Sequence, residues 1–143
     1  MDEARFAALE ARLRAAEDQL EIIRLIATYG PAIGEAMVTA KKAGLDPDVW
    51  WEAMKGGAAD SFVMQHDVPS ILAGHYDPSF TLALCCKDLK LANEIAQSQG
   101  YELPMGGMAQ KLFQQALQTY GPDAAELHVV KLLEDRVGLM LRP

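Results

Sequence analysis

The 143-residue chain is poor in the residues that mark several classes of protein. Its two cysteines, Cys85 and Cys86, are adjacent, and adjacent cysteines on a helix are badly placed for a disulfide bridge. The three histidines are scattered, so the sequence has no ligand spacing typical of a structural zinc site. We therefore expect a reducing compartment and no metal ion.

Long apolar runs and excess positive charge are also missing. No stretch reaches the roughly 18 apolar residues that a membrane span needs, and the start, Met1-Asp2-Glu3-Ala4-Arg5, lacks the basic and then apolar order of a signal peptide. The chain has 13 Lys and Arg against 20 Asp and Glu, with no local basic patch, so we expect no nucleic-acid partner. These features predict a cytoplasmic protein.

What the sequence does contain is helix-forming residues in long segments. Half of its residues are hydrophobic, which suffices for the core of one domain. No segment alternates with period two, whereas Gly and Pro separate segments rich in Ala, Leu, Met, Glu, Lys and Gln. This pattern predicts an all-α bundle of six or seven helices.

Capping residues indicate where several of these helices begin and end. Asp46 followed by Pro47 is typical of a helix start, and Gly44 of a left-handed helix end just before it. Pro104 predicts another start, and Asp123 is expected to cap the last helix.

Between these helix starts lies a stretch that prolines interrupt. Pro69 and Pro78 predict a loop from Val68 to Phe80, with only a short helix around residues 71 and 72. The segment 82–96 that follows is apolar on more than one side, which predicts a central helix.

The first 30 residues follow a more regular pattern. Their apolar side chains recur at alternating spacings of three and four: Phe6, Leu9, Leu13, Ala16, Leu20, Ile23 and Ala27. Such a narrow apolar seam fits either docking on the rest of the domain or coiled-coil pairing of two chains. Because Gly30-Pro31 interrupts the pattern, we divide the chain into an amphipathic helix over residues 1–30 and a helical domain over residues 31–143.

Negative charge is concentrated between residues 45 and 80, where six acidic residues accompany Lys55 alone. Such a stretch is usually a solvated face, and alternatively it attracts a basic protein. An acidic binder of the inhibitor or antitoxin kind is therefore one functional hypothesis.

From about Gly34 to Glu134, a series of short motifs occurs in a specific order. They are Glu35-Ala36-Met37, Lys42-Ala43-Gly44-Leu45-Asp46-Pro47, Gly56-Gly57-Ala58-Ala59-Asp60-Ser61, Tyr76-Asp77-Pro78-Ser79-Phe80, Lys87-Asp88-Leu89-Lys90-Leu91-Ala92 and Leu103-Pro104. In this order they resemble the C-terminal helical domain of the β-hydroxyacid dehydrogenases, such as 3-hydroxyisobutyrate dehydrogenase. The resemblance implies a phosphogluconate-dehydrogenase-type helical fold, NAD or NADP as the family cofactor, and dimerisation through this domain.

The resemblance also assigns roles to four residues of this chain. Lys87 matches a lysine near the cofactor, Phe80 an aromatic residue beside the nicotinamide, and Asp88 and Ser61 lie around the same cleft. We therefore expect Phe80, Lys87 and Asp88 to be vestigial cofactor contacts and Ser61 a substrate contact. Without the resemblance, Lys87 and Asp88 would be read as a solvated helix start.

Two parts of the family's catalytic machinery are missing from these 143 residues. No Gly-x-Gly-x-x-Gly follows a predicted strand, although the family binds its dinucleotide with such a turn in a Rossmann domain. The family's catalytic lysine and asparagines correspond to positions near Gln19, Ile22 and Ile23. Glutamine cannot donate a proton as a lysine ammonium does, and the two isoleucines cannot hydrogen-bond a substrate. We expect no catalytic residue, and NAD or NADP binding only if a partner adds the Rossmann domain.

A second and shorter resemblance covers the N-terminal segment. The stretch from Ala8 to Gly30 is similar to the opening helix of SnoaL-like proteins of the nuclear-transport-factor-2 superfamily. The curved sheet of that superfamily is not predicted here, so none of its pocket chemistry carries over. Together the two resemblances indicate a chimera, in which a foreign amphipathic helix replaces the helix that joins the dehydrogenase domains.

These observations favour a stand-alone, non-catalytic helical module for oligomerisation or protein interaction, either with itself or with another protein. The main alternative is an oxidoreductase component that completes a cofactor site with a Rossmann-bearing partner.

Overall fold

The computed structural model describes Glu10, Arg14 and residues 30–142. Over 30–142 it contains six helices: α1 (Gly30–Lys42), α2 (Pro47–Met54), α3 (Phe62–Ala73), α4 (Leu82–Ser98), α5 (Pro104–Tyr120) and α6 (His128–Val137). No strand occurs among these residues, and the predicted all-α fold is confirmed. The predicted N-terminal helix with its apolar seam, the SnoaL-like stretch, and Gln19, Ile22 and Ile23 lie outside the described residues, apart from Glu10 and Arg14.

The predicted caps around α2 and α5 are confirmed. The carboxylate of Asp46 accepts hydrogen bonds from the N–H groups of Asp48 at 2.9 Å and Val49 at 3.3 Å. Gly44 has a φ of 89°, the left-handed conformation expected after α1, and Pro104 opens α5. These boundaries follow from local backbone chemistry.

The predicted loop from Val68 to Phe80 is wrong in its first part, because α3 continues through Pro69 to Ala73. A proline inside a helix costs about 3 kcal/mol. Val68 and Ile71 are only 0% and 1% exposed, and burying two such side chains contributes about 3–6 kcal/mol. Core packing therefore outweighs the proline, and the helix ends only at Gly74, whose φ is 79°.

The last helix also begins later than predicted. Asp123 does not cap it, since α6 starts at His128 with Leu127 at the cap position. The intervening backbone pairs with the end of the α3–α4 loop: Glu126 donates to the carbonyl of Phe80 at 2.9 Å, and Leu82 donates to the carbonyl of Ala124 at 2.8 Å. These long-range bonds engage the backbone of residues 124 and 126 with the start of α4, so the helix begins only after them.

The helices pack in pairs around a single core. Contacts run along α4 and α5, between α1 and α6, and between α5 and α6. The approach of α1 to α6 depends on Gly34, where a Cβ atom would lie 2.9 Å from Cγ2 of Val130. The most completely buried side chains of the core are Met37, Val68, Ile71, Leu82, Cys85, Leu89, Val129, Val130 and Leu141.

A buried polar network attaches the segment after α6 to this core. Glu134 is 3% exposed and accepts hydrogen bonds from the Tyr76 hydroxyl at 2.5 Å and the Leu141 N–H at 2.6 Å. Arg142 donates to the Tyr76 hydroxyl at 3.2 Å, and Lys41 donates to the carbonyl of Leu141 at 3.1 Å. These bonds hold Leu141 in the core.

Candidate functional site

The end of the α3–α4 loop positions the first of the predicted site residues. Phe80 is half-buried and packs against the core, while its carbonyl oxygen accepts the Glu126 N–H. The next residue, Thr81, caps α4 by accepting a hydrogen bond from the N–H of Leu84 at 3.3 Å. Phe80 is thus held in place at the N-terminus of α4.

Lys87 and Asp88 lie in the second turn of α4. The Lys87 Nζ is 3.0 Å from Oδ1 of Asp88, and their side chains are 60% and 18% exposed. An exposed pair of this kind contributes about 1 kcal/mol or less to stability. The accessible ammonium group keeps donors free for an anionic ligand.

Ser61 lies at the start of a different helix. Its Oγ accepts a hydrogen bond from the Met64 N–H at 3.1 Å, and it is the N-cap of α3. Within the described residues, no hydrogen bond or ion pair joins Ser61 to Phe80, Lys87 or Asp88. The structure therefore places Phe80 just before α4, pairs Lys87 with Asp88 in the second turn of α4, and gives Ser61 a capping role at the start of α3.

A further group of side chains, missed by the sequence reasoning, joins the second turn of α3 to the loop that follows this helix. We call His66, Asp67 and Asp77 the His66 cluster, because Nδ1 of His66 is 3.5 Å from Oδ1 of Asp67 and 3.5 Å from Oδ2 of Asp77. One potential metal-ligating atom from each of the three lies within 4.8 Å of the others. The sequence offered only one signal, a His-Asp pair followed by an Asp beyond a glycine turn.

The charges near the His66 cluster are predominantly negative. Burial raises the pKa of Asp67, whereas hydrogen bonds from Ser79 lower the pKa of Asp77. Burial, and then the negative charges of Asp67 and Asp77, raise the pKa of Glu126 to about 7. Several carboxyl groups thus compete for ionisation in one part of the molecule.

The other two histidines make local hydrogen bonds. Nδ1 of His75 lies 2.9 Å from the hydroxyl of Ser70, and Nδ1 of His128 lies 3.0 Å from the carbonyl oxygen of Ala125. Neither is part of the His66 cluster.

Helix α4 packs along α5 and buries Leu82, Cys85, Leu89, Ala92 and Ala96. A flank of this helix, which we call the α4 face, exposes Leu84, Leu91 and Ile95 by 43%, 40% and 38%. Apolar side chains that share one flank of a helix form a surface that another protein can cover.

Comparison with known proteins places this arrangement in a family. Residues 24–133 match the family model described as NAD-binding of NADP-dependent 3-hydroxyisobutyrate dehydrogenase. The chain belongs to this family. The match supports the resemblance to the helical domain of β-hydroxyacid dehydrogenases and includes the positions of Ser61, Phe80, Lys87 and Asp88.

Individual relatives agree with the family match. The chain is 31% identical over 110 residues to 2-hydroxy-3-oxopropionate reductase of Escherichia coli K12, covering 77% of this chain and 38% of that protein. It is 31% identical over 85 residues to L-threonate dehydrogenase of Cupriavidus necator, covering 59% of this chain and 29% of the relative. The chain thus spans well under half the length of these curated relatives.

A solved structure shares the fold. The 3-hydroxyisobutyrate dehydrogenase from Salmonella typhimurium superposes with a TM-score of 0.73 at 24% identity, over 80% of this chain and 41% of that one.

Among the residues described in the present structure, no helix is long and apolar enough to cross a membrane.

Proposed function

We propose that this chain is a non-catalytic helical interaction module, derived from the β-hydroxyacid dehydrogenase family, that pairs with a second copy of itself through the α4 face. The observation that carries the proposal is the exposure of Leu84, Leu91 and Ile95 on one side of α4. Tyr101, Met105 and Met108, in the connection to α5 and in its first turns, are also exposed apolar side chains. Covering such a surface removes apolar groups from water.

A second copy is the occupant that suits this surface best. In a two-fold contact the same surface is used twice, so apolar residues on one copy meet apolar residues on the other. Charges of both signs border the α4 face, including Lys90 and Glu94, whose Nζ and Oε1 atoms are 3.7 Å apart. An antiparallel pairing of two α4 helices therefore brings opposite charges together, whereas the acidic stretch from 45 to 80 would repel its own copy.

The absence of catalysis in this proposal rests on the sequence. The resemblance places Gln19, Ile22 and Ile23 where the family has its catalytic lysine and companion asparagines. Glutamine cannot replace a proton-donating ammonium group, and the two isoleucines cannot hydrogen-bond a substrate carboxylate or hydroxyl. A chain with these residues would keep the helical domain but would lack the family's proton donor and substrate-binding side chains.

The test is the mass of the purified chain, measured by light scattering over a wide range of concentrations. We expect a dimer that the double substitution Leu91→Glu/Ile95→Glu converts to a monomer, because it places charges in the contact. The matched control is Leu45→Glu/Val49→Glu, which changes two exposed apolar residues near the start of α2 and should leave the dimer intact. A parent chain that is monomeric at every concentration would reject the proposal, as would equal dissociation of both variants.

The cofactor half-site is a second candidate, favoured by the position of Lys87. Its 60% exposed ammonium group suits a phosphate of NAD or NADP, and half-buried Phe80 suits the face of a nicotinamide ring. These residues fit one wall of a dinucleotide site, to be completed by a Rossmann-bearing partner. When bound, the nicotinamide would supply hydride transfer, and the residues of this chain would bind and orient it.

The test is calorimetric titration with NADP and then NAD, at the protein concentration used for light scattering, first of the chain alone and then of the chain mixed with a Rossmann domain of the family. The half-site predicts cofactor binding by the mixture that Lys87→Gln weakens and Lys90→Gln, the matched change one turn away, leaves unchanged. A mixture that binds cofactor no better than the Rossmann domain alone would reject the half-site.

A further inference from the structure

The three ligand-bearing side chains of the His66 cluster come from two parts of the fold. His66 and Asp67 lie on α3, and Asp77 lies in the loop that leads to α4. The 3.5 Å separations of the His66 Nδ1 from both carboxylates match the spacing between ligand atoms in a tetrahedral zinc site, about 3.3–3.6 Å for bonds of about 2.0–2.2 Å. One ligand atom from each of the three side chains lies within 4.8 Å of the others, so the three can approach a common ion.

Neighbouring residues orient two of these ligand groups. The ring of Phe62 stacks on the His66 imidazole, with centroids 5.5 Å apart and planes inclined by 19°. Oδ1 of Asp77 accepts the Ser79 N–H at 3.0 Å, while its other oxygen, Oδ2, is the one near His66. Contacts of this kind preserve the geometry of metal ligands and strengthen binding.

Among the described residues, the two carboxylates of the cluster lack a strong cationic partner. Within residues 30–142, neither Asp67 nor Asp77 forms an ion pair with a lysine or an arginine, and each lies 3.5 Å from the same His66 nitrogen. A divalent ion would supply positive charge to both carboxylates.

We propose that His66, Asp67 and Asp77 bind a divalent transition-metal ion, with Zn²⁺ as the best match to one nitrogen and two oxygen ligands. Three protein ligands leave one position of the tetrahedron open to water or to an anion. The inference does not depend on the proposed function, because no residue of the α4 face takes part. Zinc binding would join α3 to the loop that holds Phe80.

The direct test is calorimetric titration of the purified chain with zinc chloride near pH 7.5. We expect one Zn²⁺ per chain, with affinity at least about tenfold lower in Asp67→Asn and in Asp77→Asn. Both changes keep the shape of the side chain, and asparagine tolerates the φ of 40° at position 77. The matched control is Asp48→Asn, an exposed carboxylate on α2, which should bind zinc as the parent chain does.

Two further measurements distinguish a specific site from adventitious zinc on an acidic surface. X-ray absorption of the zinc-loaded chain should show an imidazole ligand, and His66→Phe, which keeps a ring against Phe62, should remove that signal. Zinc should also raise the Tm of the parent chain, because the unfolded chain lacks the assembled site. The proposal fails if the parent chain binds no zinc, if Asp48→Asn lowers affinity as much as Asp77→Asn, or if the His66→Phe variant retains the imidazole signal.

Discussion

Glu126 and Glu134 are two carboxyl groups largely withdrawn from water, one just before α6 and one inside it. Glu134 accepts hydrogen bonds from the Tyr76 hydroxyl and the Leu141 N–H. Within residues 30–142, the carboxyl group of Glu126 receives no hydrogen bond, and burial together with Asp67 and Asp77 raises its pKa to about 7. Glu134 is therefore a structural anchor inside α6. Glu126, just before α6, is a carboxyl group whose negative charge has no such hydrogen-bond donors among the described residues to stabilise it.

Adjacent residues of one tight turn connect the two regions. Tyr76 and Asp77 have φ values of 55° and 40°, a conformation that non-glycine residues adopt at a cost of order 1 kcal/mol each. This backbone sends the Tyr76 side chain inward to Glu134, where burial and the adjacent carboxylate raise the pKa of the phenol to about 12. Asp77 faces His66 instead. The turn thus serves a buried network and a surface cluster at once.

The largest expected effect is the loss of Glu134. Glu134→Ala removes the acceptor of the Tyr76 hydroxyl and the Leu141 N–H, and leaves both donors in the interior. We expect the free energy of unfolding to fall by about 3 kcal/mol, measured by urea denaturation. The matched control is Asp135→Ala at the neighbouring, exposed carboxylate, which pairs with Tyr120 and Lys131 and should cost about 1 kcal/mol or less. Equal losses of unfolding free energy in the two variants would show that the buried hydrogen bonds of Glu134 contribute no more to stability than the exposed contacts of Asp135.

Glu126→Gln should raise the free energy of unfolding, whereas Glu134→Ala lowers it, and the size of the increase should depend on pH. The folded-state pKa of about 7 lies above the ordinary glutamate value of 4.5, so the folded chain favours the protonated carboxyl group. The parent chain is therefore most stabilised by this group below pH 4.5 and loses that contribution as the pH rises through 7. The variant stays neutral, and at pH 8 it should be more stable than the parent chain by up to about 3 kcal/mol.

The measurement is urea denaturation of both chains from pH 4 to pH 8, with EDTA present to exclude metal binding. The advantage of Glu126→Gln should disappear near pH 4. A difference that stays constant over this range would contradict the assigned charge effect.

The smallest expected effect tests the packing of α1 on the part of α6 that lies between the two glutamates. Gly34 of α1 packs on Val130, which lies between them in the sequence. Gly34→Ala brings a methyl group to 2.9 Å from that side chain and should cost about 1–2 kcal/mol. Gly107→Ala, on the open side of α5, meets nothing within 4 Å and should stabilise the chain by about 0.5–1 kcal/mol. Thermal unfolding of the two variants should shift in opposite directions, and parallel shifts would argue against the close α1–α6 contact.

The accuracy of the sequence predictions depended on the range of the interactions involved. Asp46 and Gly44 were predicted correctly, because a cap is formed between residues two to four positions apart. Pro69 and Asp123 misled the prediction, since burial of α3 and pairing of residues 124–126 with the α3–α4 loop overrode the local signals. The grouping of Phe80, Lys87 and Asp88 was implied by family resemblance, and their contact with a cofactor stays a prediction.

The sequence by itself determined the helical class, the caps of α2 and α5, and membership of the dehydrogenase family, because helix propensity, capping and motif order are properties of neighbouring residues. Only the tertiary structure decided that α3 passes through Pro69, that His66 and Asp67 meet Asp77, and that Glu126 and Glu134 have opposite surroundings. The physical reason is that burial and charge interactions act through space, between residues that chain folding brings together.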